Sequence, residues 1–123
     1  MTTALWCVLA AGLLPYLATV TAKGGARFDN RNPRPWLAKL TGWRSRAHAA
    51  QLNSFEAFPL FAVAVLVAQQ LHAPQPRVDL LAMTFVAARV AYLVSYLGDW
   101  HILRSAVWTL GIGCAVAIFL AGT

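Results

Sequence analysis

Four long apolar runs constrain the fold of this chain more than any other feature of its sequence. They cover residues 4–22, 46–71, 79–98 and 103–121, and each is long enough for a helix to cross a hydrocarbon core of about 30 Å. Only 11% of the 123 residues are charged, against about 25% in an ordinary soluble domain. We therefore predict an all-α fold, an integral membrane four-helix bundle, in a single domain over residues 1–123.

The positive charge is concentrated between the first two runs. Seven of the ten Lys and Arg residues lie between Lys23 and Arg46. Loops rich in Lys and Arg stay in the cytoplasm, so we expect this loop inside and both termini on the non-cytoplasmic side. The first run has no basic residue before it, so we interpret it as an uncleaved helix and not as a signal peptide. We expect no nucleic-acid partner, because no binding module surrounds the basic block.

The basic loop also has a predicted local structure. Pro33 and Pro35 are expected to prevent a regular helix across it. Residues 39–46 are expected to begin the second helix before it enters the membrane. Cys7 and Cys114 both lie in apolar runs, so we interpret them as small buried hydrophobic residues. The sequence has no metal-ligand spacing, and we predict no metal site.

Polar side chains inside the membrane-spanning runs are the candidate functional residues, because such groups are costly there and usually mark a function. The predicted topology places them toward the cytoplasmic side, where they form one candidate binding cluster. Its members are Arg46, Asn53, Glu56, Arg89, Tyr92, Tyr96, Arg104 and Ser105.

Two features of this cluster have open interpretations. Glu56 and Arg89 lie at equal calculated depth, so we predict that they form an ion pair or share one hydrogen-bond network, which either locks the bundle or serves a function. Arg46 and Arg104 either bind carboxylates of an anionic ligand or anchor helix ends at lipid headgroups. A polar pocket that opens to the cytosol beside lipid suits a water-soluble cosubstrate that meets a lipophilic one.

At these residues the sequence resembles the MAPEG family, membrane-associated proteins in eicosanoid and glutathione metabolism. The segments RAHAAQLNSFEAFPLF at 46–61 and AARVAYLVSYLGDWHILRS at 87–105 carry the resemblance, which extends over nearly the whole chain. It implies a homotrimer of four-helix subunits in a bacterial inner membrane, with glutathione as cosubstrate, bound between subunits on the cytoplasmic side. A lipophilic small molecule would then arrive from the membrane lipids.

The resemblance also implies residue roles. Arg104 matches the arginine that activates the glutathione thiolate and is the expected catalytic residue. Trp108 matches an aromatic position, and either Lys23 or Arg27 stands for a basic residue after the first helix. The other members of the cluster are expected to bind glutathione or to support its site.

Two departures from the family pattern bear on activity. Ala49 stands where family enzymes carry a second glutathione-binding arginine, and Ala57 replaces a tyrosine found in some members. The leading hypothesis is a glutathione-dependent transferase or peroxidase. The alternative, favoured by Ala49, is a non-catalytic member of the family that binds lipid or serves as an accessory subunit of a membrane complex.

A third hypothesis is a small transporter that uses Glu56 as a proton or cation site, although a nearby Arg89 would keep that carboxylate ionised. Glutathione titration distinguishes the first two hypotheses. Proton-coupled uptake into liposomes tests the third.

Overall fold

The computed structural model describes residues 1–25 and 28–123, and within them all regular structure is helical. Four helices are apolar and long enough to cross a membrane, which confirms the predicted all-α membrane bundle. Their ends lie within four residues of the predicted ends. The helices are α1 (Thr3–Lys23), α2 (Pro33–Ala38), α3 (Gly42–Gln70), α4 (Gln75–Leu97) and α5 (His101–Leu120).

The short helix α2 corrects the expectation that Pro33 and Pro35 prevent a helix in the basic loop. The helix begins at Pro33, so both prolines lie in its first turn. Backbone N–H groups in a first turn have no partner within the helix, and the fixed φ of proline suits that turn.

Arg27, one candidate for the basic residue after α1, lies outside the described residues. The other candidate, Lys23, ends α1 with its Nζ 3.9 Å from the Phe28 ring centroid.

Small residues and one aromatic pair form the core. The rings of Phe61 on α3 and Phe85 on α4 stack with centroids 3.9 Å apart. Around them the core consists largely of alanines such as Ala11, Ala64 and Ala115, which allow membrane helices to approach closely. Between 22% and 33% of each apolar stretch is buried within the bundle. The remaining outer surface is largely apolar, as expected for contact with lipid.

The helix bundle has two ends that carry different connecting segments. One end carries residues 24–25 and 28–41 and the turn Gly98–Trp100, and we call it the basic end. The N-terminus and the α3–α4 connection lie at the other end, which we call the distal end. The 29 residues of α3 give a helix about 44 Å long, which exceeds a hydrocarbon core of about 30 Å. Its start at Gly42 lies within residues 39–46, where the sequence predicted that this helix begins.

At the distal end, Asp79 of α4 caps the start of α1. Its Oδ1 accepts hydrogen bonds from the Ala4 N–H at 2.8 Å and from Gln75 Nε2 at 2.7 Å. The Thr2 hydroxyl oxygen accepts another from the Leu5 N–H at 3.2 Å. These contacts satisfy N–H groups that a helix N-terminus leaves without partners, and they join α1 to α4.

At the basic end, a tight turn joins α4 to α5. Asp99 adopts a φ of 59°, in the left-handed region, and the Trp100 N–H donates to the Ser95 carbonyl at 2.8 Å. This pattern is a common way to end a helix, although glycine is the usual residue at the left-handed position. The turn reverses the chain within three residues, so that the first turn of α5 lies beside the last turns of α4.

Candidate functional site

A cavity of about 370 Å³ lies between α3, α4 and α5 toward the basic end. Its volume is within the range of small-molecule binding sites. Four of its six lining residues belong to the cluster predicted from the sequence. The lining residues are Asn53, Tyr92, Arg104, Ser105, Trp108 and Thr109.

The convergence of these residues follows from the chain path. Because α4 ends where α5 begins, Tyr92 and Tyr96 near the end of α4 lie level with Arg104 in the first turn of α5. The Arg104 Cζ lies 4.5 Å from the Tyr96 ring centroid, and the centroids of Tyr92 and Tyr96 are 5.7 Å apart. A guanidinium over an aromatic face is attracted by the ring quadrupole. This contact positions Arg104 beside the cavity.

Arg89 lies behind the cavity wall. Only 3% of its surface is exposed. Its Nη2 donates to Asn53 Oδ1 at 2.8 Å and to Ser54 Oγ at 3.4 Å, and its Cζ lies 4.2 Å from the Tyr92 ring centroid. Arg89 therefore contacts two of the lining residues, Asn53 and Tyr92, without lining the cavity itself.

Within the described residues of the single chain, neither a salt bridge nor a hydrogen bond joins Glu56 to Arg89, so the predicted pairing is wrong. Arg89 takes Asn53 as its partner, one helical turn from Glu56, and Glu56 itself is exposed. Equal depth along two helices fixes the height of two side chains but not the direction in which each one points. Glu56 lines a smaller adjoining cleft of about 90 Å³, which shares Asn53 and Trp108 with the main cavity.

Arg46 also lies outside the cavity lining. Its Nε and Nη2 donate to the Leu97 carbonyl at 3.4 Å and 3.2 Å. Leu97 is the last residue of α4, where carbonyl groups lack partners within the helix. In this structure Arg46 therefore caps the end of α4, a role that differs from both interpretations drawn from the sequence.

Sequence reasoning missed Thr109. It lies one turn beyond Ser105 on α5, where residues four apart share a face. The four-residue spacing from Ser105 was the feature of the sequence from which Thr109 could have been predicted. Trp108, which the family resemblance placed at an aromatic position, is 41% exposed and forms part of the wall.

The electrostatic character of the wall is positive. The guanidiniums of Arg89 and Arg104 flank the Tyr92–Tyr96 pair, and neither forms a salt bridge within the described residues. A buried cation such as Arg89 is costly without a compensating charge, and Arg104 lines the cavity directly, so the cavity favours an anion. Asn53 and Ser105 add hydrogen-bonding groups. No group of three His, Cys, Asp or Glu side chains in residues 1–25 and 28–123 could hold a metal ion.

A larger cavity of about 440 Å³ lies between α2 and the opposite face of α3. It gathers none of the predicted cluster, and two of its polar side chains, His48 and Gln51, face each other with Nδ1 and Oε1 3.2 Å apart. Its other lining residues are Arg34, Leu37, Leu52 and Phe55. We therefore assign the candidate site to the smaller cavity, where polar groups from three helices meet.

One of three comparisons with known proteins identifies a family for the chain. No curated protein sequence matches the chain, and no solved structure matches it. The sequence model of the MAPEG family matches residues 3–123, which include all five helices and every lining residue of the cavity, and the chain belongs to that family.

Proposed function

We propose that this integral membrane protein is a glutathione-dependent transferase or peroxidase that acts on a lipophilic electrophile or hydroperoxide. The observation that carries the proposal is the position of Arg104, which lines one cavity together with Asn53, Tyr92 and Ser105. Membership of the MAPEG family supports glutathione as the cosubstrate. In this proposal the basic end faces the cytoplasm, because its loop carries most of the positive charge.

The lining residues have the chemistry that glutathione needs. Glutathione carries two carboxylates, two amides, an ammonium group and a thiol. Arg104 is a permanent cation for an anionic group, and Asn53 and Ser105 offer hydrogen bonds to amide oxygens. Glu56, in the adjoining cleft, is a partner of opposite charge for the ammonium group.

Arg104 would act electrostatically. An arginine side chain stays protonated at any working pH, so Arg104 cannot be the base that removes the thiol proton. By stabilising the thiolate it lowers the pKa of the glutathione thiol, and the proton passes to water. The start of α5 adds a partial positive charge that favours the same anion.

The chemical step then follows from the thiolate. Its sulfur attacks an electrophilic carbon, a carbon–sulfur bond forms, and the leaving group departs with its electron pair. With a hydroperoxide, two glutathione molecules give the disulfide, an alcohol and water. The apolar outer face of α5, with Leu103 and Leu110 exposed, gives a lipophilic substrate a path from the membrane lipids.

We further propose a homotrimer. Trp108 and Glu56 lie at the surface of the single chain although they line the cavity and its adjoining cleft. A neighbouring subunit would cover this side of the site and shield the ligand. Native mass spectrometry in detergent measures the assembly, and a monomer mass would refute this part of the proposal.

The enzymatic proposal is tested with protein purified in detergent or nanodiscs. Glutathione should produce thiolate absorbance, and a reactive aryl halide should be conjugated faster than in solution. Arg104→Ala should lower the thiolate signal at pH 7. Arg77→Ala is the matched control, since it removes an exposed arginine at the distal end. Wild-type protein without thiolate, conjugation or peroxidase activity would refute the catalytic function.

A second candidate is a non-catalytic protein that binds lipid or serves as an accessory subunit. The observation that favours it is the use of Arg46 as a cap for α4, together with Ala49 at the position of a second arginine. Arg104 is then the single arginine among the six lining residues. Calorimetry that detects no glutathione binding, with lipid retained through purification, would favour this candidate.

A further inference from the structure

The contact between Arg89 and Asn53 determines the orientation of the Asn53 amide group. A guanidinium carries five N–H donors and no acceptor. The Asn53 atom 2.8 Å from Arg89 Nη2 is therefore the carbonyl oxygen, since the amide nitrogen would place donor against donor. An asparagine side chain is planar, so its NH₂ group points away from Arg89. Asn53 lines both the main cavity and the adjoining cleft.

Arg89 itself is held from several sides. The Ser54 hydroxyl donates its proton to the Ala50 carbonyl at 2.8 Å, so its oxygen faces Arg89 as an acceptor. The Tyr92 ring lies against the guanidinium carbon, and the side chain is almost completely buried. Acceptors on α3 and an aromatic face on α4 therefore hold the Nη2 end of the Arg89 guanidinium in place.

We propose that Arg89 is a positioning residue that holds Asn53 as a hydrogen-bond donor toward the cavity, so that the site selects a carboxylate or carbonyl oxygen at this point and rejects an amino group. The proposal rests on the proposed function in taking glutathione as the ligand. Beyond the proposed function, it states that Asn53 is the hydrogen-bond donor and the ligand the acceptor, and that buried Arg89 fixes this direction. Arg89 touches no ligand in this proposal.

The substitution Asn53→Asp distinguishes an effect of the amide's orientation from the effect of removing the side chain's hydrogen bonds. The carboxylate keeps an acceptor toward Arg89 and gives the buried guanidinium a counter-charge, so the thermal unfolding temperature should rise. The same substitution replaces a donor by an acceptor toward the cavity. Glutathione affinity should fall about 10- to 100-fold, as expected when a hydrogen bond to a charged group is lost. Asn53→Leu, which removes both functions, should lower affinity less and also lower the unfolding temperature.

A double-mutant cycle tests the role of Arg89 without any ligand. The stabilisation by Asn53→Asp should disappear in an Arg89→Met background, because the counter-charge then has no partner. Arg89→Lys keeps a cationic donor and should retain most of the glutathione affinity. If Arg89→Met does not fold, Arg89→Lys provides the second background, in which the stabilisation should persist at reduced size.

Two results would overturn the proposal. Equal or tighter glutathione binding by Asn53→Asp would show that the ligand donates to this residue. Additive effects in the double-mutant cycle would show that Arg89 does not hold Asn53. If wild-type protein binds no glutathione at all, the proposed function fails on its own, and the cycle still decides whether Arg89 orients the amide.

Discussion

Arg104→Ala removes the cation that lines the cavity, and its effect on a bound thiol follows from electrostatics. A thiolate about 4 Å from a guanidinium is stabilised by about 1 kcal/mol in water-like surroundings and by about 4 kcal/mol at an effective dielectric constant of about 20. One pKa unit corresponds to about 1.4 kcal/mol, so the thiol pKa falls by about 0.7–3 units from about 8.5. The half-exposed position of Arg104 places it between these limits.

These shifts give a measurable thiolate fraction. At pH 7 an unperturbed thiol is about 3% ionised, whereas the stated shifts raise that fraction to about 14–97%. Arg104→Ala should therefore lower the ultraviolet thiolate absorbance at pH 7 by about 4- to 30-fold. The rate of aryl halide conjugation should fall less steeply, because nucleophilicity increases as the thiol pKa rises.

The pH dependence decides whether the reasoning is right. Removing the cation raises the thiol pKa, so the rise in absorbance with pH should move to higher pH in Arg104→Ala. Near pH 10 both proteins should hold mostly thiolate and the difference should vanish. Arg104→Lys keeps the charge and should resemble the wild type. A loss of equal size at pH 6 and pH 10 would refute the electrostatic role and indicate lost binding instead.

Three further predictions concern the fold and its orientation. Asp79→Ala removes the acceptor for the Ala4 N–H, so it should lower the free energy of unfolding by about 1–2 kcal/mol. Asp79→Asn keeps an acceptor oxygen and should lower it less. Equal decreases in the two variants, measured by thermal unfolding, would contradict the capping role. Asp99→Gly relieves a left-handed residue and should raise stability by about 0.5–1 kcal/mol, and a lower unfolding temperature would count against strain at this turn. A reporter fused after Thr123 should read as non-cytoplasmic; cytoplasmic signal would reverse the proposed orientation.

The helices could be predicted closely because apolar length is a one-dimensional property of the sequence. Helix α2 was missed because the sequence shows Pro33 and Pro35 as helix breakers until their position in a first turn is known. In the site, Asn53 and Arg104 converge as predicted, because membrane depth follows from position along each helix.

The partner of Arg89 could not be predicted from depth. Depth gives height along the bundle, whereas a contact also depends on the rotation of each helix about its axis. Glu56 and Asn53 lie one turn apart at similar height, and the rotation of α3 brings the asparagine to the arginine. The capping role of Arg46 likewise depends on where α4 ends, which the sequence predicted only to within one residue.

The buried charge of Arg89 has a consequence for how the chain enters the membrane. An arginine near the centre of a lone helix costs about 2.5–3.5 kcal/mol on insertion scales. Its acceptor, Asn53, belongs to α3, which precedes α4 in the chain and therefore reaches the membrane first. We infer that α4 inserts efficiently only as a hairpin with α3. A glycosylation reporter should show poorer insertion of α4 alone than of the pair, and equal insertion would refute this order of biogenesis.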